Sequence, residues 1–176
     1  VLWGQGEMHL RVALERLQGK FGVHAQARQR RIAYKETIRK STQIRGRHKK
    51  QSGGHGQFGD VVVEIKPMAR GEGFVFSDSI TGGVVPKQYI PAVESGVRDW
   101  MGTGPLGFPV VDFAVNLSDG SYHDVDSSEM AFKTAASVGL KDALAKAGVV
   151  VLEPVSHVRI TVPSAHQGDV MGDITT

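Results

Sequence analysis

Apolar residues recur along this chain at two spacings. Leu10, Ala13, Leu14, Leu17 and Phe21 fall every three or four positions, and Gly19 and Gly22 supply stop signals, so the pattern predicts an amphipathic helix over residues 6–20. Residues 23–27 read as a strand. Ile32, Tyr34, Glu36 and Ile38 then occupy alternate positions, and the basic run up to Lys50 alternates in the same way, which predicts extended, hairpin-like chain. Beyond a glycine-rich loop, Val61-Val62-Val63-Glu64-Ile65 is a strand ended by Pro67, and residues 74–77 form another. Pro86 and Pro91 flank the start of a helix through Ala92, Val93, Val97 and Trp100; Pro91 suits a first turn, where its missing N–H costs nothing. Residues 110–117 read as a half-buried strand and residues 118–120 as a turn. Asp126 and Glu129 make a capping box for a helix carrying Phe132, Ala136, Leu140, Ala143 and Ala147 on one stripe, ended by Gly148. Residues 149–152 and 155–162 are strands, with Glu153-Pro154 a candidate boundary between them. Strands and helices mixed without regular repetition predict an α+β architecture.

Charge changes this picture because it is unevenly placed. Residues 28–59 hold ten Lys and Arg against the single carboxylate of Glu36, a local charge of +9, which leaves −6 on the remainder of a chain whose formal net charge is +3. A cationic segment on an acidic body suits an aimed electrostatic surface, most commonly for phosphate backbone, or else a solvated basic face with no partner. The chain has no cysteine, so a disulfide framework and thiolate metal sites are excluded, as fits a reducing cytoplasm. No apolar run approaches the roughly 18–20 residues that span a bilayer, and the first residues lack a signal-peptide pattern, so a soluble cytoplasmic protein without membrane contact is expected. The chain starts at Val1 just before a helix and stops at Thr176 without a closing signal, which reads as a piece of something longer.

Two stretches carry candidate chemistry. Gly54, Gly56 and Gly59 have the G-x-G-x-x-G spacing of a dinucleotide fingerprint, but that motif needs a strand before it and a helix after it; here the glycines follow basic polar chain and lead into a β-branched strand. No P-loop pattern exists either. A tight hairpin tip fits better: Gly53, Gly54 and Gly56 allow close backbone approach, Gln51, Ser52 and His55 offer short hydrogen-bonding groups, and Lys49 and Lys50 neutralise phosphates behind them. An ordinary solvated hairpin loop would use the same glycines. The second stretch runs from Asp119 to Glu129. Its acids do not follow EF-hand spacing, and no nucleophile elbow frames Ser127 or Ser128, so neither a metal loop nor a hydrolase triad is favoured. Tyr122 and His123 sit on the turn ahead of the helix, where His123 could read RNA bases or backbone with stacking help from Tyr122.

A series of motifs, in order, resembles the C-terminal half of bacterial elongation factor G. They are Gly6-Glu7-Met8-His9-Leu10, Tyr34-Lys35-Glu36-Thr37-Ile38, the stretch from Gln51 to Gly59, Pro86-Lys87-Gln88-Tyr89-Ile90-Pro91-Ala92-Val93, the stretch from Gly120 to Lys133, and Gly168-Asp169-Val170-Met171-Gly172-Asp173. The resemblance implies that residues 1–33 end a ferredoxin-like third domain. It implies a fourth domain over residues 34–154, similar to ribosomal protein S5 domain 2, and the start of a ferredoxin-like fifth domain over residues 155–176. It further implies that Gln51, Ser52, Gly53, Gly54, His55 and Gly56 and the turn at His123 are the two tip loops that meet the ribosome, its small-subunit rRNA decoding centre, tRNA and mRNA in translocation or recycling, with Lys49, Lys50 and Tyr122 expected beside them at the RNA. GTP and Mg²⁺ would be bound by an N-terminal domain outside this chain, which itself would hold no cofactor, metal or catalytic residue; the alternative is a stand-alone RNA-binding module without GTPase activity. His55 in place of an arginine, a shortened Gly104-to-Pro109 loop and Trp3-Gly4-Gln5 before Gly6 resemble the elongation-factor-G-like branch of the family.

Overall fold

A computed structural model describes residues 2–26, 28, 31–51 and 53–175. The chain divides into two compact units, Val1–Ile32 and Ala33–Thr176. The first is built on helix α1 (Glu7–Phe21), one residue later than expected at each end, closed by Gly22 in the left-handed conformation at φ 65°. Residues 23–26 form no strand, and Ala27 lies outside the described residues. A strand exists only through hydrogen bonds to a neighbour, and none pairs with this stretch among the described residues.

In the second unit, β2 (Thr42–Lys50), β3 (Gln57–Pro67), β4 (Phe74–Asp78) and β5 (Phe113–Ser121) form a four-stranded sheet in the order β2-β3-β5-β4. The β2–β3 and β3–β5 pairs are antiparallel, whereas β4 and β5 run parallel. Parallel neighbours need a crossover, and helix α2 (Ile90–Met101) supplies it, with Pro91 in its first turn as expected. Helix α3 (Glu129–Ala147) is followed by β6 (Val149–Leu152), which pairs antiparallel with β1 (Lys35–Ile38) in a separate two-stranded sheet. The α+β architecture expected from the pattern is thus the observed one.

Alternation in the strands decides which face is buried. Val61, Val63 and Ile65 of β3 and Phe113, Val115 and Leu117 of β5 are fully buried, together with Val93 and Val97 of α2 and Phe132, Ala136 and Leu140 of α3. Each large side chain among these contributes about 1.5–3 kcal/mol by leaving water. Beside this core, Glu36 is a fully buried carboxylate whose Oε1 accepts hydrogen bonds from the backbone N–H groups of Leu106 (3.0 Å) and Phe108 (2.8 Å). It thereby pins the loop between α2 and β5.

Further departures from the pattern reading have local reasons. Strand β5 starts at Phe113 rather than Val110, because Asp112 takes φ 58° and turns its carboxylate to the N–H groups of Gly71 and Gly73. It then continues through residues 118–120, where a turn was expected, because a bulge between Val62 and Val63 accommodates Ser118 and lets Asp119 and Gly120 resume pairing. Residues 155–162 form no strand and have no partner strand among the described residues, and they lead to an unanticipated short helix, α4 (Gln167–Thr175).

Glycines set the distance between α3 and the hairpin. A Cβ on Gly139 would stand 2.9 Å from Gly46 Cα, one on Gly46 would stand 2.7 Å from Gly139 Cα, and one on Gly59 would meet the Ala131 backbone at 2.5 Å. The helix therefore lies directly on the strand backbones. Gly46→Ala is expected to lower stability by about 1–3 kcal/mol through overpacking, seen as a lower urea midpoint at unchanged slope.

Candidate nucleic-acid interface

Strands β2 and β3 form a hairpin whose end carries Lys49 and Lys50 on β2, then the loop of Gln51, Gly53, Gly54, His55 and Gly56; Ser52 lies outside the described residues. Gly53 (φ 43°) and Gly54 (φ 130°) take the backbone through conformations that side chains resist, so the reversal depends on them. Of the G-x-G-x-x-G glycines, Gly54 and Gly56 belong to the loop, while Gly59 lies inside β3 under α3. No helix follows to receive a pyrophosphate.

Tyr122 and His123 leave the end of β5 on the turn that precedes α3, next to the hairpin end. A net of hydrogen bonds joins the two segments. The N–H of Gly56 donates to Asp126 Oδ1 (2.9 Å), and the N–H of Phe58 donates to the Asp126 carbonyl (2.8 Å). Ser127 Oγ donates to the Phe58 carbonyl (3.0 Å) and accepts from the His123 N–H (2.9 Å). Asp126 is therefore not the helix cap expected from its spacing to Glu129. Ser128 caps α3 instead, its hydroxyl accepting from the Ala131 N–H, and Asp126 is left to bridge the two loops. A Cβ on Gly56 would come within 2.8 Å of that carboxylate, so a side chain there would have to displace the Asp126 group that closes the clasp.

Within the turn, His123 Nδ1 accepts from the N–H groups of Val125 (3.3 Å) and Asp126 (3.2 Å). Asp126 Oδ2 also stands 3.6 Å from Nδ1, so the turn engages that nitrogen and leaves Nε2 for an outside partner, on a side chain that is 56% exposed. The aromatic neighbour of His123 is Phe58, 6.4 Å away between ring centroids and tilted by 57°. Tyr122 is exposed and has no ring contact among the described residues, which leaves its ring open to solvent.

Behind the tip, the cations are ordered by one carboxylate. Asp60 is fully buried and accepts from Arg45 through Nε (2.8 Å) and Nη2 (2.7 Å), and from the Ser121 hydroxyl (3.1 Å). Arg47 Nε stands 3.8 Å from Asp60, and its guanidinium lies over the Phe58 ring, 5.4 Å from the centroid. Hydrogen bonding to Asp60, followed by its Coulombic attraction, raises the Arg45 pKa above its ordinary value. Arg45 and Arg47 are thereby held in place behind Lys49, Lys50 and the glycine-rich loop.

Together the two segments enclose a cleft of about 380 Å³. It brings Lys49, Lys50, Gln51, Gly56 and His123 to one place, while Gly53, Gly54, His55 and Tyr122 lie outside its lining. Arg47, Phe58 and Asp126 belong to it as well and were not singled out as site residues from the sequence. A signal for Asp126 was present: Asp126, Ser127 and Ser128 can each cap a helix, and only one of three successive residues is able to.

The four-stranded sheet, the helices packed with it and the cationic β2–β3 hairpin make an α+β domain with two loops meeting at one end. Residues 30–148 match the model of elongation factor G, domain IV, and the chain belongs to that family. It is 53% identical to an elongation factor G-like protein of Synechocystis sp., over 98% of this chain and 27% of that protein. A crystal structure of a protein from Thermus thermophilus superimposes with a TM-score of 0.84 at 41% identity, over 98% of this chain and 26% of that one. The chain thus spans about a quarter of the length of either relative. No helix among the described residues is long and apolar enough to cross a membrane.

Removing the bridging carboxylate isolates its contribution. Asp126→Ala is expected to raise the Gly56 amide exchange rate by about tenfold or more, as befits loss of a charged hydrogen bond worth roughly 1.5–3 kcal/mol. Asp126→Asn, which keeps an acceptor oxygen, should restore most of the protection; equal loss in both variants would assign the clasp to charge alone.

Proposed function

We infer that this chain is the ribosome-facing part of an elongation-factor-G-like translational GTPase. Its domain IV tip reaches the decoding centre of the small subunit and promotes tRNA–mRNA translocation or ribosome recycling. The observation that carries this reading is the two-loop tip, in which a glycine-rich end stands in front of Lys49 and Lys50 and beside the His123 ring. Such an arrangement approaches a nucleic acid closely with backbone and short side chains while the cations behind it meet phosphates. The elongation factor G-like name of the cyanobacterial relative supports the same assignment.

On this reading residues 1–33 end the third domain, residues 34–154 are the fourth, and residues 155–176 open the fifth, the outer two being ferredoxin-like pieces. GTP and Mg²⁺ are held by an N-terminal domain of the parent factor in the cytoplasm, and this chain contributes neither a cofactor site nor a catalytic residue. Its action is steric. The tip occupies the space that tRNA and mRNA leave and so biases the direction of their movement, while hydrolysis takes place elsewhere in the factor.

The test is made in the full-length factor. His123→Ala is expected to slow single-turnover translocation roughly tenfold, the size of one lost hydrogen bond of about 1–1.5 kcal/mol, with ribosome-stimulated GTP hydrolysis near normal. Equal loss of both activities would remove His123 from the tip's work. For a recycling factor the same contrast would appear in subunit splitting rather than translocation.

A further inference from the structure

The cleft between the hairpin end and the turn at His123 contains more than phosphate binding requires. Lys49 and Lys50 alone would serve a phosphate. Yet Phe58, directly opposite Lys49 in the β2–β3 register, places an aromatic ring on a hydrophilic tip, with the Arg47 guanidinium over it and the His123 ring 6.4 Å away. Ring, guanidinium and imidazole are the three side-chain types on which unpaired bases stack. The three share one framework: Arg47 Nε lies 3.8 Å from Asp60, the Phe58 backbone is bonded through its N–H and carbonyl to the 126–127 turn, and His123 Nδ1 accepts from two N–H groups of the same turn. The volume of about 380 Å³ falls within the range of about 300–1,000 Å³ typical of small-ligand sites.

We propose that this cleft takes one unpaired RNA nucleotide, its base on the Arg47–Phe58–His123 platform and its phosphate at Lys49 and Lys50. The inference rests on the RNA-facing reading of the tip and adds to it a pocket for a splayed base, flanking the glycine loop. Binding should then consist of two separable parts. The lysines supply a salt-dependent part, and the platform supplies a part that depends on the base and hardly on salt.

The experiment titrates the 176-residue chain with a short, unpaired, mixed-sequence oligoribonucleotide and with the same strand made abasic. The base-bearing strand should bind about tenfold more tightly, and Phe58→Leu, which keeps apolar volume but no ring, should abolish that preference at unchanged salt slope. Phe58→Tyr should retain it, and thermal unfolding of each variant checks that the hairpin remains folded. Lys49→Ala with Lys50→Ala should do the converse, flattening the log–log salt slope by roughly 2 while the preference for bases survives. Equal binding of the two strands by the unaltered chain, or a preference that persists in Phe58→Leu, would overturn the pocket and leave electrostatic RNA contact standing. Absence of any RNA binding would instead overturn the RNA-facing reading itself.

Discussion

The arrangement of the second unit depends on how closely α3 approaches the β2–β3 hairpin. At Gly46, Gly59 and Gly139 backbone meets backbone with no side chain between, and at Gly96 the same holds between α2 and α3. Helix and strand are then in contact along the hairpin rather than at its base alone. Dispersion and excluded water act over the whole interface, and the small residues Ala131, Ala135, Ala136 and Ala143 of α3 follow from that closeness. A hairpin joined only by its own ladder would be marginal in water. Here the helix serves as its spine.

The same closeness delivers the functional end. Because α3 starts beside the hairpin end, the turn leading into it is already within hydrogen-bond reach of residues 56–58, and Asp126 and Ser127 need only short side chains to close the gap. Buried Asp60 plays a parallel part further back. It lies beneath Arg45 and Arg47 and offsets the mutual repulsion that a dense cationic row would otherwise suffer.

What could be read from the sequence was what repeats. Val61, Val63 and Ile65 alternate, Phe132, Ala136 and Leu140 lie one helical turn apart, and both patterns survive folding because burial selects one face. Single-residue events were not readable in this way. The positive φ of Asp112 and the bulge that absorbs Ser118 shift strand ends through pairings with segments distant in the chain. Residues 155–162 have a strand-like composition but no neighbour to pair with among the described residues. In the tip, Lys49, Lys50 and the glycines stood out by type. Phe58 and Asp126 did not, since an aromatic in a strand and an acid before a helix each have an ordinary explanation, and only the fold brings them together.

The hairpin's length gives the clasp a mechanical meaning. Nine residues of β2, at about 3.3 Å of rise each, make an arm of roughly 30 Å. Rotation of its base by roughly 10° would carry the tip through about 5 Å, more than the spacing between neighbouring hydrogen-bonded groups. An arm that flexed along its length would lose that displacement to bending. With its spine continuous, its end fastened and β5 paired to β3 from Asp60 onward, the hairpin turns with the sheet as a stiff pointer, so that small rotations of the unit become displacements of several ångströms at its end.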